Sequence, residues 1–332
     1  MKRIRWGILS TALIGTEKVI PGMLKSDQLE VVAIASRSLP KAEDWARKLG
    51  IPKACGSYQE LLDDPTIDAI YNPLPNPQHV PMTLAAAQTG KHVLCEKPMA
   101  MNAAELEVLR PWTSKVHIRE AFMVRHHPQW TETRERIRAG EIGELQFMQV
   151  PFAYHNTDPG NLRNMIDQGG GALLDIGCYA IVAGRWFFEA EPERVIVTID
   201  RDPVFRTDRT SSGVLDFGRG RQLVFTVATQ SASYQRVQLV GTRGRIEIQI
   251  PFNAPLDSGC RYDIDDASAL DGAGIRSVTL PVHDQYQLQA EAFGRAIRDE
   301  VPTAAGLDDA RANMRIIDAL FASETSGRFE RP

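Results

Sequence analysis

The sequence lacks the features that mark several common classes of protein. Its four cysteines, Cys55, Cys95, Cys178 and Cys260, include no Cys-x-x-Cys pair. Such spacing fits neither a disulfide framework nor a zinc site, so we expect free thiols in a cytoplasmic protein. No apolar run approaches the roughly 20 residues that span a bilayer. The net charge of −4 gives no general attraction to nucleic acid or to an anionic membrane, and we expect neither as a partner.

The overall composition, 43% hydrophobic and 24% charged, is typical of a globular protein. The length of 332 residues favours two domains. Up to about residue 123, short apolar runs alternate with segments of helical spacing. This alternation predicts a parallel sheet covered by helices, a doubly wound domain. The predicted strands are IRWGIL, EVVAIAS, AIYNPL, HVLCE and VHIREAF.

After residue 123 the pattern changes to long stretches in which apolar and polar residues alternate, such as LQFMQVPFAYH and QLVFTVATQ. The turn sequences FGRGR and GTRGR between such stretches predict hairpins of an antiparallel sheet. One face of the sheet must be covered, and the segments GALLDIGCYAIVAGRWFF and YQLQAEAFGRAIRDE predict helices able to cover it. The closing LDDARANMRIIDALFASETSG predicts another amphipathic helix. The second domain is therefore α+β.

The segment GILSTALIG, residues 7–15, lies between the first predicted strand and the first predicted helix. Such a turn directs free backbone N–H groups and the positive helix end toward a pyrophosphate. Small residues leave room for the phosphate, and the register S-x-A-x-x-G supplies them. The alternative is a turn that only packs. The predicted cofactor contacts here are Ser10, Thr11, Ala12, Ile14 and Gly15.

The second predicted strand ends in AIASRS, where an enzyme that binds NAD commonly has Asp or Glu facing the adenosine ribose. Here Ser36 and Arg37 stand at that end. A hydroxyl and a guanidinium would bind a 2′-phosphate, which a carboxylate would repel, so NADP is predicted, with NAD as the alternative. Arg37 could instead be a solvated loop residue and Ser38 a helix cap.

Several motifs occur in an order that resembles one enzyme family. AAAQTGKHVLCEKP follows IYNPLPNPQH, and RAGEIGEL, GGGALLDIGCY and VQLVGTRGRIEI come later. Each motif alone is weak, but together they are specific and extend over essentially the whole length. On these motifs the chain is similar to the Gfo/Idh/MocA oxidoreductases, typified by glucose–fructose oxidoreductase and inositol dehydrogenase.

This resemblance implies an α/β Rossmann domain over residues 1–123 and an α+β domain with a large, mostly antiparallel open sheet over residues 124–332. It also implies a homodimer or homotetramer, because one sheet face in this family commonly packs against another subunit. An uncovered sheet face would expose a large apolar patch in a monomer, which leads to the same expectation.

The resemblance assigns Lys97, the lysine of HVLCEKP, to the active site beside the nicotinamide. An ammonium hydrogen-bonded to an alcohol oxygen stabilises the alkoxide that develops as hydride leaves. Glu96 is then expected to contact Lys97 or the cofactor ribose. The alternative for Lys97 is a strand-end salt bridge.

Asp175 and Tyr179 in GGGALLDIGCY are four residues apart, hence on one face of a predicted helix. The family commonly has His at the second position, and tyrosine there resembles its sugar-oxidising and dihydrodiol-oxidising members. A phenol is a poor base at neutral pH, but a neighbouring Lys97 ammonium would favour phenolate, so the two could share one proton transfer. We predict Tyr179 as general acid and base and Asp175 as its orienter or as acceptor of a substrate hydroxyl. Core packing of both is the alternative.

The resemblance places further contacts in two loops. The polar segment YHNTDPGNLRNMIDQGGG is similar to the substrate loop of sugar-active relatives, although it could be a solvated connection. The adjacent His126 and His127 point apart and have no carboxylate pair beside them, so no metal is predicted. The further predicted cofactor contacts are Tyr71, Pro73, Asn76 and His79, and the predicted substrate contacts are Tyr154, Asn161, Arg163 and Arg125.

These features predict an NADP-dependent oxidoreductase that moves hydride between the nicotinamide and a secondary alcohol or hemiacetal carbon of a sugar-like polyol. Two alternatives are a ketoreductase of nucleotide-linked keto-sugars, which EAFMVRHHPQ resembles, and a trans-dihydrodiol dehydrogenase. A further alternative is a non-catalytic NADP-binding sensor, against which the presence of Lys97, Asp175 and Tyr179 argues.

Overall fold

The structure, a computed structural model, describes residues 3–299 and 306–332. The chain forms two compact units. One comprises Met1–Met123 with Asp284–Arg311, and the other comprises Val124–His283 with Ala312–Pro332. The first unit thus contains residues 284–311, which the sequence pattern assigns to the second domain.

The first unit is built on a parallel sheet. Its strands are β1 (Ile4–Leu9), β2 (Leu29–Ala35), β3 (Lys53–Cys55), β4 (Ala69–Asn72), β5 (His92–Cys95) and β6 (Ile118–Glu120). They lie in the order β3-β2-β1-β4-β5-β6, which is that of a dinucleotide-binding Rossmann sheet. β1 and β4 are buried nearly throughout, as expected for parallel strands covered on both faces. β3 was not predicted, because KAC is too short to form a pattern.

Helices connect these strands, as the alternation of patterns predicts. They are α1 (Ile20–Leu24), which continues a π-helical turn (Gly15–Val19), α2 (Leu39–Leu49), α3 (Tyr58–Leu62) and α4 (His79–Gln88). Short 3-10 helices at Asn76–Gln78 and Ala103–Trp112 complete the connections. The prediction of a doubly wound domain is confirmed.

The second unit is built on a mostly antiparallel sheet. Its strands are β7 (Leu145–His155), β8 (Arg194–Arg201), β9 (Asp208–Asp216), β10 (Gln222–Ala228), β11 (Gln230–Gln235), β12 (Val237–Gly241), β13 (Arg245–Ile248), β14 (Cys260–Asp265) and β15 (Ile275–Leu280). Their order is β15-β14-β13-β12-β7-β10-β9-β8, with β11 also paired to β7. The turns FGRGR and GTRGR join β9 to β10 and β12 to β13, and both pairs are antiparallel. The predicted sheet and both hairpins are confirmed.

The strands β11, β14 and β15 were not predicted. β11, with sequence QSASYQ, is exposed along most of its length, and β15 is exposed at most of its positions. Without a buried face a strand has no need of alternating apolar residues, so the pattern that reveals the other strands is missing.

The second sheet is covered by α6 (Cys178–Phe188), which continues a π-helical turn (Leu173–Gly177) and packs against β7. The helix α5 (Pro128–Arg138) packs against α6. The segment Ile166–Phe188 is long and apolar enough to cross a membrane, but 89% of its apolar window is buried inside the protein. It is the core helix that the sequence pattern predicts as a cover for the sheet.

The remaining helices are α7 (Gln285–Arg298) and α8 (Leu307–Ser326). The prediction that α7 covers the second sheet is wrong, because α7 packs against α1 and β2 of the first unit. The rings of Phe293 on α7 and Trp6 on β1 lie 5.7 Å apart between centroids. An amphipathic helix can cover any apolar sheet face, so its pattern does not specify which one. The amphipathic helix predicted at the end of the chain is confirmed as α8.

Candidate active site

The turn after β1 has the geometry of a phosphate-binding turn. Ser10 is in the left-handed conformation, with φ of 76°, which glycine adopts at the lowest cost. Its Oγ accepts a hydrogen bond from the Ala12 N–H at 3.2 Å, which helps to hold that conformation. The helical bonding begins with the Thr16 N–H, and the first N–H groups of a helix have no intrahelical acceptor. A Cβ on Gly15 would lie 3.5 Å from Tyr71, so the helix start packs closely on the end of β4. This turn fits a pyrophosphate.

The other cofactor residues predicted near this turn lie as follows. Thr11 is buried, and Ile14 directly precedes the π-helical turn. Pro73 is buried just beyond β4, and Asn76 begins a 3-10 helix. Their cofactor contacts remain predictions.

The end of β2 presents a hydroxyl and a guanidinium. Ser36 is buried, and its Oγ accepts a hydrogen bond from the Ser38 N–H at 3.2 Å. Ser38 is the N-cap residue of α2 but makes no capping bond with its own side chain. Arg37 is exposed and lies near the hydroxyl of Tyr58, where it opposes the effect of burial, which raises the pKa of that phenol. The strand end therefore offers donors for an anionic group and carries no carboxylate among residues 35–38.

Glu96, directly after β5, is held by two donors of the first unit. Its Oε1 accepts a hydrogen bond from the Tyr71 hydroxyl at 2.8 Å, and its Oε2 accepts one from the Lys97 backbone N–H at 3.3 Å. Burial and this carboxylate raise the pKa of Tyr71, so the phenol stays protonated. The same two causes raise the pKa of Tyr286 on α7. Glu96 thus contacts Lys97 through its backbone, and a ribose contact remains a prediction.

The loop that carries Lys97 is anchored on both sides. Lys97 is half-buried, and the Lys97–Pro98 peptide bond is cis. The Met99 N–H donates to Oε1 of Glu120 on β6 at 2.8 Å, and the Pro98 carbonyl lies 2.7 Å from Nδ1 of His79. The anchoring role of Glu120 was missed by the sequence analysis. A carboxylate at the end of a short buried strand was its only signal.

His79, which the sequence predicts as a cofactor contact or a structural cap, has a ring that faces the backbone. His79 is 1% exposed, and its Nε2 lies 2.6 Å from the Leu74 carbonyl while its Nδ1 faces Pro98. Both ring nitrogens are therefore turned toward the backbone. Burial lowers the pKa of His79 to about 4, against the opposing effects of the Pro98 and Leu74 carbonyls, and the Lys97 charge lowers it further. The ring is neutral at pH 7, so it donates a hydrogen bond to only one of these two carbonyls while lying between the two loops.

Asn72 is a second residue that the sequence analysis missed. It is fully buried at the end of β4, where its Nδ2 donates to the His79 carbonyl at 3.1 Å and its Oδ1 accepts from the Leu74 N–H at 3.3 Å. The available signal was an amide in an otherwise apolar strand. Asn72 shapes the loop from which His79 reaches Pro98.

In the second unit, Asp175 brings together two of the predicted substrate residues. Its Oδ2 accepts hydrogen bonds from the Tyr154 hydroxyl at 2.6 Å and from Nε of Arg163 at 3.0 Å. The Asp175 side chain is 13% exposed and that of Arg163 is 51% exposed. Burial, followed by Asp175, raises the pKa of Tyr154, and Asp175 raises the pKa of Arg163. The carboxylate is held by a phenol and a guanidinium, with the guanidinium facing solvent.

Tyr179, on the same helix as Asp175, packs against aromatic rings from β7 and from the connection between β13 and β14. Its ring centroid lies 6.0 Å from that of Phe152 and 5.4 Å from that of Phe252. Tyr179 and Asp175 both raise the pKa of Arg163. The Tyr179 side chain is buried, with 6% exposed, and its role in proton transfer remains a prediction.

Asn161 and Arg125 have other local partners. Oδ1 of Asn161 accepts a hydrogen bond from the Arg163 N–H at 3.1 Å and so shapes the turn before Arg163. The guanidinium of Arg125 lies 5.9 Å from the ring centroid of Trp186, about two helical turns beyond Tyr179. Within residues 3–299 and 306–332, no group of three or more His, Cys, Asp and Glu is placed to hold a metal ion.

Residues 4–115 match the model of an oxidoreductase family with an NAD-binding Rossmann fold, and residues 130–247 match the model of the Gfo/Idh/MocA C-terminal domain. The chain belongs to the Gfo/Idh/MocA family. It is therefore an oxidoreductase with a nicotinamide dinucleotide-binding domain, and the resemblance inferred from its motifs is confirmed.

The chain is similar to characterised and uncharacterised members of this family. It is 45% identical over 333 residues to the uncharacterized oxidoreductase ORF334 of Rhizobium meliloti, covering 99% of each chain. It is 36% identical over 327 residues to D-xylose 1-dehydrogenase (NADP(+)) 2 of Haloferax volcanii, covering 97% of this chain and 98% of the relative. The crystal structure of KijD10, a 3-ketoreductase from Actinomadura kijaniata in complex with NADP and TDP-benzene, superposes with a TM-score of 0.90 at 27% identity, covering 97% of this chain and 98% of that one.

Proposed function

We propose that the chain is an NADP-dependent oxidoreductase that acts on a secondary alcohol or hemiacetal carbon of a sugar or sugar-like polyol. The observation that carries the proposal is the Asp175 carboxylate, held by Tyr154 and Arg163 on the helix of Tyr179. A fixed acceptor beside a partly exposed donor suits a substrate rich in hydroxyl groups, since each hydroxyl both donates and accepts. The D-xylose dehydrogenase among the relatives supports a sugar.

For the cofactor, residues 10–15 would hold the pyrophosphate at the helix start, and Ser36 and Arg37 would hold the 2′-phosphate. The NADP of KijD10 and of the D-xylose dehydrogenase supports NADP over NAD. We expect Arg37→Ala to raise the KM for NADP by about tenfold or more with little effect on the KM for NAD, because NAD has no 2′-phosphate. An unchanged ratio of the two KM values would argue against this site.

The chemistry divides among three side chains. A nicotinamide cofactor bound at the residues named above would supply the hydride acceptor for the alcohol, or the hydride donor in the reverse direction. The Lys97 ammonium would donate a hydrogen bond to the reacting oxygen and stabilise its developing negative charge. Tyr179, as a phenolate favoured by the Lys97 ammonium, would take the proton from the alcohol, and as the phenol it would return that proton in the reverse direction. Asp175 would accept a hydrogen bond from a neighbouring substrate hydroxyl and so orient the reacting carbon.

The assignment of Lys97 and Tyr179 is tested by separating turnover from cofactor binding. We expect Lys97→Ala and Tyr179→Phe each to lower kcat by about 10² to 10⁴ while the Kd of NADPH stays close to that of the native enzyme. Lys115→Ala, at an exposed lysine, is the control for loss of a positive charge. Retained turnover with weakened NADPH binding would refute the assignment.

The substrate is tested with a panel monitored by the absorbance of the reduced nicotinamide. Free aldoses, nucleotide-linked keto-sugars and trans-dihydrodiols separate the proposed function from its alternatives. The similarity to KijD10 favours the keto-sugar reductase as the second candidate. Tight NADPH binding without turnover across the panel would instead favour a sensor.

We also propose that the enzyme is a cytoplasmic homo-oligomer that associates through the second sheet. Phe147, Val224 and Tyr234, on the neighbouring strands β7, β10 and β11, are 40%, 42% and 50% exposed, and such apolar surface favours association. The four buried free thiols support a reducing compartment. Light scattering should give a multiple of the 36.9 kDa subunit mass, and Val224→Asp should lower it. A monomeric native protein would contradict the proposal.

A further inference from the structure

Asp208 is the first residue of β9. Its buried carboxylate lies at the start of the helix that carries Asp175 and Tyr179. Asp208 is 2% exposed. Its Oδ2 accepts hydrogen bonds from the Leu173 backbone N–H at 2.6 Å and from the Ser211 hydroxyl at 2.8 Å. The first N–H groups of a helix need acceptors from outside it, which an N-cap residue usually supplies locally. Here a carboxylate from a strand of the sheet supplies one.

Gly171 connects this carboxylate to the substrate loop. Its φ is 117°, and a Cβ at this position would overlap Oδ1 of Asp208, so only glycine fits. The Gly171 N–H donates to the Arg163 carbonyl at 2.9 Å, and its own carbonyl accepts from the Asp175 N–H at 3.1 Å. The backbone between Arg163 and Asp175 is therefore held at the point where Asp208 touches it.

The capping bond does not require a negative charge. Burial raises the pKa of Asp208 to about 6, against the opposing effects of its donors and of Arg201 on β8. Tyr154 on β7 is a second titratable group that faces Asp208, which helps to raise its pKa. A protonated carboxyl group or a carboxamide still accepts a hydrogen bond through its carbonyl oxygen. Shape and position, more than charge, are therefore what Asp208 contributes to the start of the helix.

We infer that Asp208 is a positioning residue, which sets the orientation of Asp175 and Tyr179 by capping their helix from the sheet. This inference rests on the proposed function of those two residues. It assigns a role in turnover to a side chain that lies 35 residues from the backbone group it caps.

Two variants of Asp208 separate the effect of the position of its side chain from the effect of its charge. Asp208→Asn keeps the side-chain length and an acceptor oxygen but removes the charge. Asp208→Glu keeps the charge but carries the carboxylate one methylene further, into the space beside Gly171. The matched control is Asp202→Asn, since Asp202 is also a buried carboxylate that accepts from a backbone N–H, that of Val204 at 2.8 Å, in the connection from β8 to β9. Each full-length variant is assayed for kcat, for the KM of the sugar and for the Kd of NADPH.

We expect Asp208→Asn to retain kcat within about threefold and Asp208→Glu to lose about 10-fold to 100-fold, because a displaced helix misplaces the reacting groups. The Kd of NADPH should stay unchanged in both, and the control should keep its kcat. If circular dichroism shows that Asp208→Glu does not fold, Asp208→Ala replaces it with the same expected loss. An unchanged kcat in the longer or the truncated variant, or an inactive Asn variant beside an active Glu variant, would overturn the inference.

Parallel assays of Asp175→Asn and Tyr179→Phe show which idea has failed. If both lose turnover while Asp208→Glu keeps it, the positioning role is refuted and the proposed function stands. If both keep turnover, the proposed function is refuted and the positioning role with it.

Discussion

The hydroxyl of Tyr154 donates a hydrogen bond of 2.6 Å to Oδ2 of Asp175. Burial and this carboxylate raise the pKa of the phenol, so Tyr154 remains a donor throughout the neutral pH range. The bond joins β7 to the helix that carries Asp175. The second sheet thereby orients the carboxylate that we propose as an acceptor for the substrate.

Tyr154→Phe should lower kcat/KM for the sugar by about tenfold, or ~1.4 kcal/mol, because Asp175 loses a donor that fixes its orientation. The affinity for NADPH should not change. Tyr262→Phe is the matched control, since Tyr262 is buried and its hydroxyl also donates to a carboxylate, Oε2 of Glu132, at 2.9 Å. Equal activity of the two variants would show that Tyr154 does not orient Asp175.

Substitutions at Ser10 would test the backbone strain in the turn after β1. A residue with a side chain costs roughly 1–2 kcal/mol in the left-handed conformation, whereas glycine adopts it freely. Ser10→Gly and Ser10→Ala both lose the bond to the Ala12 N–H, but only the glycine variant relieves the strain. Ser10→Ala should therefore be less stable than Ser10→Gly by about 1 kcal/mol in urea unfolding. Equal midpoints would contradict the left-handed conformation.

His79 should make stability depend on pH. Its pKa is about 4 in the folded protein, against about 6.5 in an unfolded chain. Between these values the unfolded chain binds more protons, so the stabilising contribution of the neutral ring is present above pH 6.5 and is lost as the pH falls toward 4.

His79→Gln should reduce the pH dependence of the unfolding free energy in this window, to which His92 and His127 also contribute through pKa values lowered to about 4 by burial. It should cost about 1–3 kcal/mol at pH 7, because a buried hydrogen bond is lost. Urea unfolding at a series of pH values measures both effects. His155→Gln, at an exposed histidine, is the control. If His79→Gln kept the pH dependence of the native protein's unfolding free energy, the His79 ring would not contribute to that dependence.

A substitution at Gly171 would test the contact between this residue and Asp208. Gly171→Ala combines a positive φ with overlap on Oδ1 of Asp208, whereas Gly220→Ala has the same sign of φ, 79°, and no atom within 4 Å of the added Cβ. The first variant should unfold more easily than the second by about 1–3 kcal/mol, which is typical of overpacking. Thermal or urea unfolding measures the difference. Equal stability would mean that the carboxylate does not press against this turn.

Local patterns were enough for much of the molecule. The alternation of short apolar runs with helical segments, and the turn sequences FGRGR and GTRGR, depend on neighbours within a few positions, so the sequence alone predicts the parallel sheet and both hairpins. The order of the motifs identified the family because it extends over both domains. The sequence pattern did not predict the strands β11 and β15, because exposed strands carry no alternation of apolar and polar residues.

By itself, the amino-acid order determined the fold class, the family and the residue types that offer acid–base and phosphate-binding chemistry. Only the tertiary structure decided that α7 covers the first sheet, that the His79 ring faces the backbone and that Tyr154 and Asp208 reach the helix of Asp175 from 21 and 35 residues away in sequence. The physical reason is that hydrogen bonds and packing between distant segments depend on where the whole chain brings them, and no pattern of neighbouring residues records that position.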